Sequence, residues 1–339
     1  MGDSEISTDN SRVTEARAAL LRWYGEHHRD LPWRRTQDPY AIWISEIMLQ
    51  QTRVASAEGH YQRFMKRFPT VVALALAELD DVLAHWSGLG YYRRARMLHR
   101  AAQVIVSEHG GKIPRDVMTL RGVPGIGPYT SAAIASIAYG VPVAVVDGNV
   151  ERVLARLDGE GEQRGAVKWQ RMAQAWLDEE RPGEFNQAMM ELGAMICVPR
   201  GPRCLECPVY TWCKTRGEHL VGKRAPMRSV EVAYGVVERT RLRKWQVLLE
   251  QRPDNSKQMP GLWELPLVTE LPEAEPVMTL RHAITTTNYY ARIFRLRAWQ
   301  TPQRPRGSRR LWVHQEGLEE MALTGLTRKV MRRLGKMRA

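Results

Sequence analysis

Glu46 is a carboxylic acid in apolar company. It lies in residues 40–54, Tyr-Ala-Ile-Trp-Ile-Ser-Glu-Ile-Met-Leu-Gln-Gln-Thr-Arg-Val, which read as a helix. Ile42 and Trp43 stand one turn before it, Leu49 and Gln50 one turn after, and those positions share its face. No Lys or Arg is there to pair with it. Desolvation disfavours the ionised form and raises a carboxyl pKa. An acid that keeps its proton near neutrality can serve as a general acid. The plainer alternative is a Glu at the rim of the apolar face, reaching water. A second carboxylate, Asp147, opens Asp-Gly-Asn-Val, after which apolar residues at 150, 153, 154 and 157 keep helical spacing. Asp147 and Asn149 therefore stand at a helix entrance, where capping is their ordinary work. The chemical alternative pairs Asp147 with Glu46 across a glycosidic bond. One carboxyl protonates the leaving group, and the other stabilises or attacks the oxocarbenium-like sugar.

A second constellation is made of sulfur. All four Cys of the chain fall in Cys197-x6-Cys204-x2-Cys207-x5-Cys213. Scattered disulfides would not bunch in this way, so the pattern indicates a reducing compartment and a metal site. Zinc sites of four thiolates usually show two close pairs. Here only Cys204 and Cys207 are close, which favours one compact iron–sulfur cluster, with zinc as the alternative. The intervening Val-Pro-Arg-Gly-Pro-Arg loop is basic.

These side chains need elements to hold them. In residues 120–130, Leu-Arg-Gly-Val-Pro-Gly-Ile-Gly-Pro-Tyr-Thr, Gly125 and Gly127 flank Ile126 in a turn that reads as too tight for most side chains. Pro128 suits a first helical turn, and Gly140 closes the helix over 130–139. Free amides at such a helix start favour a phosphate; an ordinary corner between helices is the alternative. Residues 14–24, 74–86, 95–109 and 185–197 also read as helices, the last carrying Glu191. In the loop 29–35, Trp33 with its arginines could line a base pocket, although a core plug is the more ordinary role. Ser-Gly-Leu-Gly-Tyr-Tyr-Arg-Arg-Ala-Arg at 87–96 offers rings for bases and guanidiniums for phosphates, or else a solvated basic helix.

The chain of 339 residues carries a net charge of +13. From Ala225 onward there are 21 Lys+Arg against 11 Asp+Glu, or +10, leaving +3 for the rest. Such an excess favours a polyanion such as nucleic acid. No apolar run is long enough to span a membrane. Residues 1–12 read as a disordered lead-in, 13–213 as an all-α domain and 214–228 as a linker. Residues 229–339 read as an α+β domain, with strands at 230–238, 245–251, 291–299 and 311–314 and helices at 318–323 and 327–334.

Taken together, the motifs at 31–34 (Leu-Pro-Trp-Arg), 45–52 (Ser-Glu-Ile-Met-Leu-Gln-Gln-Thr), 88–92, 123–130 and 147–150, with the Cys spacing, resemble adenine DNA glycosylases of the MutY type. These enzymes belong to the helix-hairpin-helix glycosylase superfamily. The resemblance covers nearly the whole chain after the lead-in. It implies a helical core with a 4Fe–4S cluster on Cys197, Cys204, Cys207 and Cys213, followed by a Nudix-like domain that reads 8-oxoguanine. It implies release of adenine opposite that lesion or guanine, on double-stranded DNA; a monomer is the default expectation, in the cytoplasm or, in a prokaryote, at the nucleoid. Glu46 then matches the acid, Asp147 the carboxylate beside the sugar cation, and Tyr129 and Asn149 the residues that position them. Leu31, Arg34, Val54 and Glu191 match the adenine pocket; Gln51 and Tyr91 match the duplex wedge; Gly125 and Gly127 match the backbone grip. Where endonuclease III-like relatives carry a Schiff-base Lys, this chain has Tyr129, implying a glycosylase without strong lyase activity. The lesion-reading loop departs from the family's Phe-Ser-His, having Ile284, Thr285 and Thr286. The Glu-rich metal helix of Nudix hydrolases is also missing, implying base binding without nucleotide hydrolysis. The rivals are an endonuclease III-like glycosylase/lyase and a non-catalytic DNA-binding scaffold.

Overall fold

The computed structural model describes residues 10–159, 165–219, 226–256, 258–284 and 286–338. The fold divides into two compact units, Met1–Ala75 with Arg100–Gly222, and Leu76–His99 with Lys223–Ala339. No helix among the described residues is long and apolar enough to cross a membrane.

The first unit is helical. Helix Asn10–His27 begins inside the expected lead-in, and residues 1–9 lie outside the described residues. Asp38 caps helix Pro39–Leu49 by accepting the backbone N–H groups of Tyr40 and Ala41, with Pro39 in the first turn. Tyr40 through Met48 are all buried, as a helix apolar all round must be. This helix is shorter than the expected 40–54. Gln51 takes left-handed backbone (φ 55°), and a separate helix, Val54–Arg67, follows. The expected helix over 74–86 likewise splits into Val71–Ala75 and Leu79–Trp86.

Helix Pro128–Tyr139 starts at Gly127 and is closed by Gly140 in the left-handed region (φ 65°). Its Ser131, Ala132, Ala133, Ala135 and Ser136 are buried and small, so neighbours approach its backbone. Gly183 of helix Pro182–Met195 is one such neighbour: a Cβ there would stand 2.7 Å from Ile137 Cα. Helix Gly148–Asp158 is capped by Asp147 and closed by Gly159 (φ 75°). Leu20, Val153, Leu154, Trp169, Phe185 and Leu192 fill the core between these helices. Burying each such side chain contributes roughly 1.5–3 kcal/mol.

The second unit contains β1 (Arg228–Arg241), β2 (Lys244–Gln251), β3 (Trp263–Glu264), β4 (Met278–Ile284), β5 (Thr287–Leu296) and β6 (Arg309–His314). Their order is β3-β2-β1-β5-β4, with β6 also on β2. β1 and β5 run parallel, Val232 opposite Ala291, while β4 and β5 form a hairpin with Ile284 opposite Thr287. Helix Gly325–Arg333 lays Val330 and Met331 against Val236, Val247 and Ile293. The sequence reading missed β3 and β4. It also expected a helix over 318–323, where a 3-10 helix, Gln315–Glu320, is found. Of the expected linker, residues 220–225 lie outside the described residues, and Arg228 already belongs to β1.

Candidate active site

Glu46 is 6% exposed, so the rim alternative fails. Burial is the main cause that raises its pKa from 4.5 to about 7; nearby Asp147 adds to the rise, while a hydrogen bond from Tyr129 and the charge of Arg34 oppose it. The Tyr129 hydroxyl donates to Glu46 Oε2 at 2.7 Å and also lies 3.3 Å from Met190 Sδ. Burial, with the charges of Glu46 and Asp147, pushes the Tyr129 phenol well up, so it stays a donor. The two carboxyls and the phenol form one electrostatic group. They come from helix Pro39–Leu49, the start of helix Pro128–Tyr139 and the start of helix Gly148–Asp158.

Asp147 does cap its helix. Oδ1 accepts the N–H groups of Asn149 (2.9 Å) and Val150 (2.8 Å), and Oδ2 accepts Asn149 Nδ2 (2.9 Å). Capping and chemistry are compatible, because these bonds fix the carboxylate beside Glu46. Asn149 is held in turn by Arg152, which donates to Asn149 Oδ1 (2.9 Å), Gly193 O (2.7 Å) and Cys197 O (2.8 Å). Gly193 permits this approach, since a Cβ there would stand 2.6 Å from Asn149 Cβ. Arg152 and Gly193 carry no local sequence signal; only the fold brings residues so distant along the chain together.

Glu191 is 1% exposed and receives two arginines. Arg29 donates its backbone N–H (3.0 Å) and Nε (2.8 Å) to Oε1; Arg34 donates to Oε1 (2.9 Å) and Oε2 (2.8 Å). Burial alone would raise the Glu191 pKa, but the two guanidiniums outweigh it and hold it at about 2. Glu191 therefore fastens the 29–34 segment onto helix Pro182–Met195. Arg29 is a partner the sequence reading missed. Leu31 is buried in this segment and Val54, half-buried, begins its own helix. Trp33 is a core plug, edge-on to Tyr61 at 5.2 Å between ring centroids.

Gly125 has φ 81°, which explains the glycine. Gly127 does not conform to the tight-turn reading. Its φ is −88°, and a Cβ there would meet nothing within 4 Å. No side-chain hydrogen bond caps this helix start.

Gln51 and Tyr91 share a property. Each is a non-glycine residue in left-handed backbone (φ 55° and 47°) and each is exposed. Such strain persists only when the surroundings enforce it. At 87–96 the expected phosphate-binding role of the arginines needs correction. Arg94 turns inward, donating to Leu89 O (3.2 Å) and Gly90 O (3.3 Å) between the Trp86 and Tyr91 rings; Arg96 donates to Pro260 O (2.7 Å). Arg93 is exposed. Ile284 ends β4 half-buried, Thr286 is exposed and accepts the Arg228 N–H at 2.9 Å, and Thr285 lies outside the described residues.

All four cysteines are free, half-buried thiols. Burial raises the Cys207 thiol to about 12, and the charges of Cys197, Cys213 and Cys204 add to the rise. Buried Arg156 supports them, donating to Cys197 Sγ (3.3 Å) and Val198 O (2.8 Å). Among the described residues, no three His, Cys, Asp or Glu side chains gather as ligands of a single ion.

Residues 44–179, which include Glu46, Tyr129 and Asp147, match the model of the HhH-GPD superfamily of base excision DNA repair proteins. A thermostable thymine-DNA glycosylase superposes with a TM-score of 0.58 at 28% identity, over 61% of this chain and 97% of that one. Endonuclease III trapped covalently on DNA gives a TM-score of 0.54 at 22% identity, over 61% and 96%. The part of the chain that these matches cover thus has the fold of helix-hairpin-helix DNA glycosylases. The chain is 38% identical to the human adenine DNA glycosylase over 327 residues, covering 79% of this chain and 60% of that protein. It is 41% identical to the adenine DNA glycosylase of Mycobacterium tuberculosis (strain ATCC 25618 / H37Rv) over 234 residues, 68% of this chain and 77% of that one. The chain belongs to the adenine DNA glycosylase family. It spans 43% of the rat relative, at 45% identity over 223 residues.

Proposed function

We propose that the chain is a monofunctional DNA glycosylase that hydrolyses the N-glycosidic bond of adenine opposite 8-oxoguanine or guanine in base excision repair. The observation that carries this reading is the buried Glu46, poised near neutrality by burial beside Tyr129 and Asp147. Adenine must first leave the stack, since its glycosidic bond is unreachable inside a duplex. Neutral Glu46 protonates the base, the C1′–N9 bond breaks, and the sugar becomes an oxocarbenium-like cation. Asp147, held by Asn149 and Val150, places its negative charge beside that cation. Water adds to C1′, and ionised Glu46 accepts its proton. Tyr129 orients Glu46 by hydrogen bonding.

Leu31, Arg34, Val54 and Glu191 form the adenine pocket, with Glu191 acting by fixing Arg34. Gln51 and Tyr91 present their exposed side chains to the duplex. The start of helix Pro128–Tyr139, which no side chain caps, takes a phosphate through its first amides. The helical unit carries the glycosylase chemistry, and the chain from β1 (Arg228) onward is a Nudix-like lesion-reading domain. There Ile284, Thr285 and Thr286 make the reading loop, and the charge of +10 after Ala225 draws the domain to DNA. Cys197, Cys204, Cys207 and Cys213, four thiols within seventeen residues with only one close pair, are the residues that would hold a 4Fe–4S cluster. Cys197 and Cys204, bound to such a cluster, would pin the basic 198–203 loop between them. A phenol forms no imine, and no Lys occurs between Lys112 and Lys168, so strand cleavage through a Schiff base is not expected.

The test is single-turnover base release on duplexes carrying adenine opposite 8-oxoguanine, adenine opposite guanine, and thymine glycol, each with and without borohydride. Adenine release without a trapped adduct is expected. Release of thymine glycol with trapping would establish the lyase reading, and no release from any duplex would leave a scaffold.

A further inference from the structure

Tyr91 sits in a loop that few sequences would tolerate. Gly88, Gly90 and Tyr91 all take positive φ (106°, 71° and 47°). The loop is braced locally by Trp86, whose Nε1 donates to Gly90 O at 3.1 Å, and by Arg94. Its remaining anchors come from the sheet-bearing part of the same compact unit. The hydroxyl of Tyr92, a buried residue, donates to Leu323 O at 3.0 Å and lies 3.2 Å from Ser87 Oγ. Arg328 donates to Ser87 Oγ at 2.7 Å. The residues on both sides of Tyr91 are thus fixed to the corner that leads into helix Gly325–Arg333.

That corner is closely hydrogen-bonded. Leu323 bridges to Trp263 of β3, the Trp263 N–H donates to Ala322 O (2.9 Å), and the Thr324 N–H donates to Trp263 O (2.9 Å). Thr324 then caps the helix. Beyond the cap lies Gly325, where a Cβ would meet the His282 ring at 3.1–3.2 Å. His282 belongs to β4, two residues before Ile284 at the reading hairpin, and Lys329 ties the same strand to the helix through Arg281 O at 2.9 Å. A close-packed corner transmits displacement, because its contacts do not yield smoothly.

We propose that Tyr92, Ser87 and Arg328, acting through the Leu323–Gly325 corner, are positioning residues that couple the paired ends of β4 and β5, Ile284 opposite Thr287, to the Tyr91 loop. They make the lesion opposite adenine determine how Tyr91 is set. The inference rests on the functional reading above and adds a route by which the second unit acts on the duplex. The Tyr92 hydroxyl is engaged by Leu323 O and Ser87 Oγ within its own unit, so its removal is expected to act on lesion preference.

The test is a double-mutant cycle on full-length protein with Tyr92→Phe and His282→Ala. Two quantities are read: the affinity ratio for duplexes holding an uncleavable adenine analogue opposite 8-oxoguanine or guanine, and the corresponding ratio of single-turnover release rates. Each variant is expected to lower both ratios at least about threefold, and the double variant to fall little further than the larger single effect. Tyr92→Phe should leave release opposite guanine within about twofold of wild type, as an uncoupled structural role for the hydroxyl would not lower the ratio. An unchanged ratio in Tyr92→Phe, or two effects that simply multiply, overturns the coupling. Ser87→Ala runs the same cycle should Tyr92→Phe fail to fold. Failure of the wild type to release adenine would overturn the functional reading instead, while the affinity ratios would still decide the coupling.

Discussion

Burying an acid whose pKa has risen is a cost to the fold, and its size follows from the structure. Glu46 titrates near 4.5 when unfolded and near 7 when folded, chiefly because of burial. Between these values the folded chain binds more protons than the unfolded one, so stability falls as pH rises through that window. The penalty is absent below the unfolded value and complete above the folded one. A shift from 4.5 to about 7 corresponds to about 3 kcal/mol. Glu46→Gln removes the ionisation and keeps an oxygen to accept the Tyr129 hydroxyl. The variant should therefore match wild type near pH 4.5 and become more stable as pH rises, by about 3 kcal/mol at pH 8. For a unit of this size that is roughly 6–12 °C in melting temperature. Thermal unfolding of both proteins without DNA, in a pH series, measures it. Equal melting temperatures at pH 8 would show that Glu46 is solvated and would remove the physical basis for its acid role.

Other consequences are as definite. Tyr129→Phe removes the hydrogen bond that lowers the Glu46 pKa, so the alkaline limb of the release-rate profile should move to higher pH. A limb that stays in place would show that the phenol does not touch the titrating group. Gly193→Ala gains about 1 kcal/mol of helix propensity, but its Cβ would meet Asn149 at 2.6 Å and the Asn149 carbonyl at 3.0 Å. Overpacking of this kind costs about 1–3 kcal/mol and outweighs the gain, so melting should drop and base release should fall with it; a more stable, fully active variant would contradict this. Glu191→Ala strands Arg34, which is 12% exposed, and should cost about 3 kcal/mol near neutral pH. Since the Glu191 pKa is depressed to about 2, its contribution is present above about 4.5 and fades as pH falls through about 2, so the variant and wild type should converge in strong acid. A constant difference across pH would assign the loss to packing alone.

Glu46 was legible because helical spacing names its neighbours and none is a cation. Asp147 was legible because Asp-Gly-Asn before a periodic apolar run marks a helix entrance, and the thiols because their spacing is local. What escaped the sequence is what folding joins over long separations. Arg29 meets Glu191 across 162 positions, and Arg152 reaches Cys197 across 45. No period or turn signal encodes either contact. The helix of Glu46 was drawn too long because Gln51 looks like any helical glutamine, while tertiary surroundings impose its left-handed backbone. β4 was missed because Met-Thr-Leu-Arg-His-Ala-Ile buries only Leu280 fully, leaving little apolar alternation to read. The arginines at 94 and 96 looked like phosphate ligands in sequence, but backbone carbonyls within the same unit accept them.

The central claim is that neutral Glu46 delivers the proton that frees adenine. Single-turnover release by Glu46→Gln on a duplex with adenine opposite 8-oxoguanine, measured alongside its affinity for that duplex, tests it most directly. Affinity within a few-fold of wild type is expected, with release slowed by at least about a hundredfold. Release at the wild-type rate from a fully bound duplex would contradict the account.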